Sequence, residues 1–238
     1  MNKLIAKIFI TGDIVAATGL HIGGSKSALD IGGVDLNVIK KPDGTPFIPG
    51  SSLKGKLRAL LARCEGSVAV TRREAKGQKS DADVDYLREI FGTPGDEGEA
   101  ESGFNVTRLI VRDADLIVDE FKKQFGDELE LGYSEIKWEN TINRTTGTAE
   151  HPRQLERVPA GARFRFEMVY DEYSDEKTEE HLARIRMAMR LLEGDYLGGQ
   201  GSRGYGKIRF ENVKFSRKTV KAYESEKDEL PVEMAFTF

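Results

Sequence analysis

With 238 residues, 32% charged and 8% aromatic, the chain has the make-up of a globular protein with room for a substantial core. No apolar run approaches the ~20 residues of a bilayer-spanning helix, and the N-terminus lacks a signal-peptide layout, which predicts a cytoplasmic protein. The single cysteine, Cys64, excludes a disulfide framework and a thiolate zinc site, and reads as a helix residue, not a nucleophile. Net charge is −4, which by itself argues against nucleic acid as a partner. The distribution reverses that argument. Segments 91–103, 171–180 and 222–238 together carry −13, leaving +9 on the remainder, and residues 51–79 hold eight Lys/Arg against two Glu. Affinity for phosphate follows local basic surface, not the total.

In chain order, residues 3–17 (KLIAKIFITGDIVAA) alternate around Leu4, Ala6, Ile8 and Ile10 and predict a strand. A polar, glycine-containing segment, TGLHIGGSKSALDIGGVDLN, follows. In IPGSSLKGKLRALLAR (48–63) the Pro49-Gly50 breaker precedes a helix, with Ser51 or Ser52 as N-cap and Leu53, Leu57, Leu60 and Leu61 on one face. Residues 65–103 mix a short helical piece, VDYLREIF, with polar tracts and read as an insertion. Residues 104–118 predict a second strand region, and FRFEMVY (164–170) a clear strand. Leu182, Ile185, Met189 and Leu192 set one face of a helix over 178–193, and GKIRFENVKF (206–215) is the final strand. Without its insertions the order is β-α-β-β-α-β. That predicts an α+β, ferredoxin-like or RRM-like fold, an antiparallel sheet with two helices on one face. The expected organisation is one palm domain over 1–221, with a helical or lid insertion at 65–103, a hairpin excursion at 134–160 and a peripheral segment at 222–238.

Three segments carry chemistry. At the start of the 48–63 helix, Lys54, Lys56 and Arg58 lie off the apolar face, near an end that already presents free N–H groups and positive partial charge. Gly55 is costly inside a helix, and a ligand approaching its backbone would explain it. In LGGQGSRGYGKI (197–208), five glycines in nine positions, among them Gly199, Gly201 and Gly204, open the backbone to an anion. Arg203 adds charge there and Tyr205 a stacking face. The loop ends in no G-K-[ST] and precedes a strand, so neither a Walker nor a Rossmann reading fits. Finally, ENTINRTTGTAEHPRQLERV (139–158) offers Asn140, Asn143, Arg144, Arg153, Gln154 and Arg157 as donors with little apolar surface, and Trp138 is placed to anchor its base.

Taken together, TGLHIGG (18–24), IPGSSLKGKLR (48–58), segment 139–158 and EGDYLGGQGSRGYG (193–206) resemble, in order and spacing, the RAMP-superfamily backbone subunits of type III-A CRISPR effector complexes. The resemblance spans about residues 4–216; segment 65–103 and the EHPRQ approach depart from the usual pattern. It implies a CRISPR RNA-binding filament subunit whose copies stack along one guide with other subunits of the complex. It also implies a protruding thumb hairpin that divides the guide–target duplex, with base pairing doing the sequence reading. The guide contacts it implies are His21, Ser51, Ser52, Lys54, Lys56, Arg58, Arg144, Arg153, Gly199, Gly201, Arg203 and Gly204. For His21, a satisfied structural histidine is an equal alternative.

The family's cleavage aspartate falls at Asp35, in GGVDLNVIK, where Asn37 replaces a usual proline. The resemblance thus implies metal-dependent cleavage of guide-complementary single-stranded target RNA, with Asp35 as base or as ligand to a divalent metal, Mg²⁺ above all. Asp30 is the nearby alternative. Two other readings stay open. One is a non-catalytic guide-binding scaffold; the other, a standalone CRISPR RNA-processing endonuclease, is disfavoured by the filament-type GSSLKGKLR and by the want of a multi-residue acid–base site.

Overall fold

β1 (Leu4–Ala16) organises the molecule, which a computed structural model describes at residues 2–24, 36–66, 84–92, 106–126, 129, 131–225, 230–236 and 238. Its alternation puts Ala6, Ile8, Ile10, Ile14 and Ala16 on one face, all fully buried. β1 pairs antiparallel with β7 (Arg163–Tyr173) on one side and β8 (Ile208–Thr219) on the other. Short strands extend the sheet: β2 (Phe47–Ile48), β3 (Leu109–Val111), β4 (Ala114–Leu116) and β9 (Val232–Glu233). The order is β2-β4-β7-β1-β8-β9, with β3 joining β4 along one edge of β7, and every pairing is antiparallel. Two further strands, β5 (Glu135–Ile142) and β6 (Ala149–Arg157), form a separate hairpin, so the 134–160 excursion is a two-stranded ribbon.

The helices are α1 (Gly50–Cys64), α2 (Asp85–Phe91), α3 (Val118–Phe125), α4 (Thr178–Glu193) and α5 (Val220–Glu224). Leu53, Leu57 and Leu61 of α1 and Leu182, Ile185, Met189 and Leu192 of α4 join Phe164, Phe166, Met168 and Phe215 in one core. The opposite sheet face is a lattice of charges. Lys7 pairs with Asp171, and Arg163 reaches Asp13 at 3.3 Å, Glu120 at 3.2 Å and Glu211 at 2.9 Å. A bulge at Asn212, whose φ is 55°, lets its amide donate to buried Asp13 at 2.8 Å.

Several expectations change. Neither Ser51 nor Ser52 caps α1: the helix starts at Gly50 after Pro49, and the Gly50 amide donates to Asp113 of the β3–β4 break at 2.7 Å. That break also splits the expected 104–118 strand in two. It presses on α1 so closely that a Cβ on Gly50 would lie 2.2 Å from the Val111 carbonyl oxygen. The sequence pattern does not predict α3; Phe121 holds it against Tyr133, with ring centroids 5.6 Å apart, and Phe125 of the same helix packs beside it at 4.5 Å. The segment after residue 221 is less peripheral than its sequence suggests. β9 pairs with β8, and Phe236 and Phe238 pack on Phe215 and Phe210 and lie under Arg186 and Arg190. Of segment 65–103, only residues 65–66 and 84–92 are described; α2 buries Leu87, Ile90 and Phe91 in the core.

Beside α2 lies a buried histidine. His181 is wholly buried, with Nδ1 2.8 Å from the Tyr170 hydroxyl and Nε2 3.2 Å from Glu89. Burial, and then the Arg108 cation, push its pKa below the ordinary value. Arg108 is itself committed to Asp175, 3.1 Å away through Nη1.

Two predictions follow from these contacts. Gly50→Ala should destabilise the fold by about 1–3 kcal/mol, because backbone must move to admit a methyl group. Gly55→Ala, where nothing lies within 4 Å of the added carbon, should stabilise it by about 1 kcal/mol in urea unfolding. Second, a histidine with a lowered folded pKa gives stability that is present above its unfolded pKa and is lost as pH falls. Unfolding free energy measured from about pH 7.5 to about 5 should therefore decline below about 6.5, and His181→Gln should flatten that decline.

Candidate nucleic-acid interface

The segments singled out by the sequence meet on one side of the molecule. Lys56 of α1 reaches Asp195 at 3.2 Å and stands over the Tyr196 ring at 3.7 Å, so the helix and the glycine loop are neighbours. Gly201 lies directly on the Tyr196 ring, where a Cβ would fall 2.0 Å from Cγ. The loop then folds back on the 19–22 segment: the Gly199 amide donates to the His21 carbonyl at 2.8 Å and the Gly206 amide to the Gly19 carbonyl at 3.0 Å. Gly206, at φ 74°, has no room for a side chain, because a Cβ would lie 2.1 Å from the Leu197 oxygen. These glycines serve close packing first. Gly204, also at positive φ, has its amide on the Gly201 carbonyl at 3.0 Å and open space beside it.

Arg203 projects from this loop to Glu139 of β5 at 3.1 Å while remaining more than half exposed. Lys137, Arg144 and Arg203 thus border one open depression around Asn140 and Ile142. Arg144 and Arg153 are exposed on the hairpin, and Arg153 sits opposite Glu139 in the ladder. Ser51 is exposed and Ser52 half-buried in the first turn of α1. Lys54 donates to Thr107 at 2.7 Å, and burial, followed by neighbouring Arg58, lowers its pKa. The surface over Gly55 is open.

The base of the hairpin is tied down by a residue that sequence reading missed. Glu156 is nearly fully buried, bonded to Lys40 and Ser134 and accepting the Val38 amide at 2.9 Å. Burial drives its carboxyl upward, but these three donors outweigh it and hold the group below the usual range. Its own carbonyl takes His21 Nδ1 at 2.7 Å, and its amide donates to Leu36 at 3.0 Å. One residue therefore joins the 20–24 segment, the 36–40 segment and the hairpin. Glu156 stands between Leu155 and Val158 in RQLERV, a stretch with no apolar alternation to mark it as buried, and its partner Lys40 is too distant in the chain to be read.

Two expected roles do not survive. Trp138 does not anchor the hairpin: it is 61% exposed, and Leu155, Glu156 and Val158 hold the base instead. Tyr205 offers no stacking face, since its ring is 1% exposed and confronted by Lys137 at 4.4 Å and Arg157 at 5.3 Å. His21 is buried beneath the glycine loop. Asp35 and Asp30 lie outside the described residues, although Leu36, next to Asp35, bridges to Leu155.

Similarity to known proteins agrees with this arrangement. The chain is 43% identical over 225 residues to the CRISPR system Cms endoribonuclease Csm3 of Methanocaldococcus jannaschii, covering 93% of this chain and 85% of that protein. It is 44% identical over 216 residues to the protein of the same name from Streptococcus thermophilus, covering 88% and 89%. Among solved structures, the Csm3–Csm4 subcomplex of the type III-A CRISPR-Cas interference complex matches with a TM-score of 0.58 and 31% identity over 97% of this chain and 91% of that one. The Methanopyrus kandleri Csm3 crystal structure, 22% identical, shares the fold with a TM-score of 0.60 over 94% and 81%. No helix among the described residues is long and apolar enough to cross a membrane. With residues 13–209 matched by the RAMP superfamily model, and with these relatives aligned over most of its length, the chain belongs to the RAMP superfamily.

Proposed function

We propose that this protein is a guide-RNA-binding filament subunit of a type III-A CRISPR interference complex that cuts guide-complementary single-stranded RNA. The observation that carries the proposal is the meeting of the α1 cations, the glycine loop and the cationic hairpin on one surface, in a chain whose relatives are named endoribonucleases. Its partners are then the guide, the target RNA, further copies of itself and other subunits. We read the order β4-β7-β1-β8, with α1 and α4 on one face, as the ferredoxin-like plan of the palm.

In this proposal the α1 N-terminus and its lysines hold guide phosphates, and the exposed arginines of the hairpin lie along the duplex. Asp35 is assigned the chemistry. Its carboxylate takes the proton from a target ribose 2′-OH as that oxygen attacks the adjacent phosphorus in line, leaving a 2′,3′-cyclic phosphate and a free 5′-OH. A metal in this proposal rests on Asp35 together with phosphate oxygens, an all-oxygen donor set that suits Mg²⁺. Such an ion supplies charge stabilisation at the phosphate. The cations of this surface contribute in the same sense.

Two experiments test the reading. Lys54→Ala/Arg58→Ala should weaken RNA binding irrespective of sequence and reduce the slope of log K against log salt by about two units at most. An unchanged slope would show that α1 does not touch phosphate. In the assembled complex, with Mg²⁺ and complementary RNA, Asp35→Asn should slow cleavage by at least about 10²–10⁴-fold with guide binding intact, and Asp30→Asn should not. Cutting at the wild-type rate by Asp35→Asn would leave a scaffold role, and an EDTA lane that cuts normally would remove the metal from the proposal.

A further inference from the structure

A two-stranded ribbon is marginally stable alone, and its direction in space is set by what it leans on. In this hairpin the base is fixed by Glu156, but the strands run well beyond it. The inner side of β5 presents Glu135, Lys137 and Glu139 in alternation, and each has a partner. Glu135 takes Arg157 of the opposite strand at 2.6 Å, and Glu139 takes Arg203 of the glycine loop at 3.1 Å. Lys137 lies 3.5 Å from Glu139 and also over the Tyr205 ring at 4.4 Å, and Arg157 approaches the same ring at 5.3 Å. Tyr205 is 1% exposed. Its hydroxyl makes no hydrogen bond of standard geometry, although burial and the Glu139 carboxylate nearby push the phenol up. The ring is therefore the working part. Arg157 is in turn seated over Gly19, where a Cβ would fall 2.4 Å from its Cδ, so nothing larger than glycine lets this side chain reach the ring.

We propose that Tyr205 is the positioning residue of the hairpin: its buried ring, gripped by Lys137 of β5 and Arg157 of β6, fixes the angle between the hairpin and the glycine loop. A cation over an aromatic face is attracted to it even at a partly exposed site, and the two here come from the two strands of the ribbon. The Arg203–Glu139 pair adds a second point of attachment farther along β5. Guide-gripping loop and hairpin then turn as one body. This inference rests on the proposed function only where it predicts cutting; the mechanical part stands on the free protein.

The test uses the full chain and two spin labels, one on the native, exposed Cys64 and one on a thiol introduced by Thr145→Cys at the exposed hairpin tip. Double electron–electron resonance should give a single narrow distance peak in the parent and in Tyr205→Phe, which keeps the ring. Tyr205→Leu should lose that peak to a broad distribution. Should Tyr205→Leu not fold by circular dichroism, Lys137→Met, which removes one cation from a partly exposed site, should broaden the peak instead. A narrow, unshifted peak in the folded Tyr205→Leu or in Lys137→Met overturns the inference. In the assembled complex, Tyr205→Leu should scatter the positions of target cleavage, with Tyr205→Phe restoring them. A broadened distance with cuts still at parental positions would support Tyr205 as the positioning residue, and would show that the hairpin does not set where cutting occurs.

Discussion

One buried carboxylate holds together what the rest of the site depends on. Glu156 lies in the ladder of the hairpin and would be untenable there unless every oxygen were satisfied. Lys40 and the Val38 amide, from one stretch of chain, and Ser134, from another, satisfy them. Removing one member of such a set leaves an uncompensated charge, and typically costs about 3–5 kcal/mol for a buried pair. The geometry is specific for this reason: residues 36–40, Ser134 and the hairpin strand have one mutual arrangement that keeps the charge paired, and His21 is tied to the same residue through its backbone carbonyl. An apolar residue could fill the same space, but it would not select that arrangement.

The glycine loop illustrates a similar division of labour. Its richness in glycine looks like an invitation to an anion, yet the amides of Gly199, Gly204 and Gly206 are engaged with carbonyls of the protein. The glycines let the loop lie flat on Tyr196 and on the 19–22 segment, and this packing delivers Arg203 to the surface. Positive charge at the site is supplied by side chains on rigid supports. Two of these, Lys56 and Arg203, are already oriented by carboxylates, Asp195 and Glu139, which a phosphate would have to share or displace.

Much of the fold was legible. β1, β7, α1 and α4 each bury a face whose period, two or near 3.6, is written plainly in the sequence, and the structure ends α4 where the pattern does. Elements of two or three residues, such as β2, β3, β4 and β9, carry no period at all and exist because a neighbouring strand offers its edge. α3 has a single deeply buried residue, Phe121, too little to mark a helical face. At the site, charge-bearing residues were legible by type and clustering, and their partners were not. Tyr205 read as a stacking surface because an aromatic in a polar loop usually is one; only the fold shows two cations already in place. Trp138 read as an anchor because tryptophan is rarely left in water, and here it is.

The cap on α1 has one more consequence. Asp113 and the β3–β4 break lock the Gly50 end of the helix in place as part of folding. Were a guide phosphate bound there as proposed, it would meet an end of the helix that is already ordered, and the entropy of ordering that end would be absent from the binding step. Such an association would be a rigid-body encounter, closer to lock-and-key than to coupled folding, with its rate set by approach and charge more than by rearrangement.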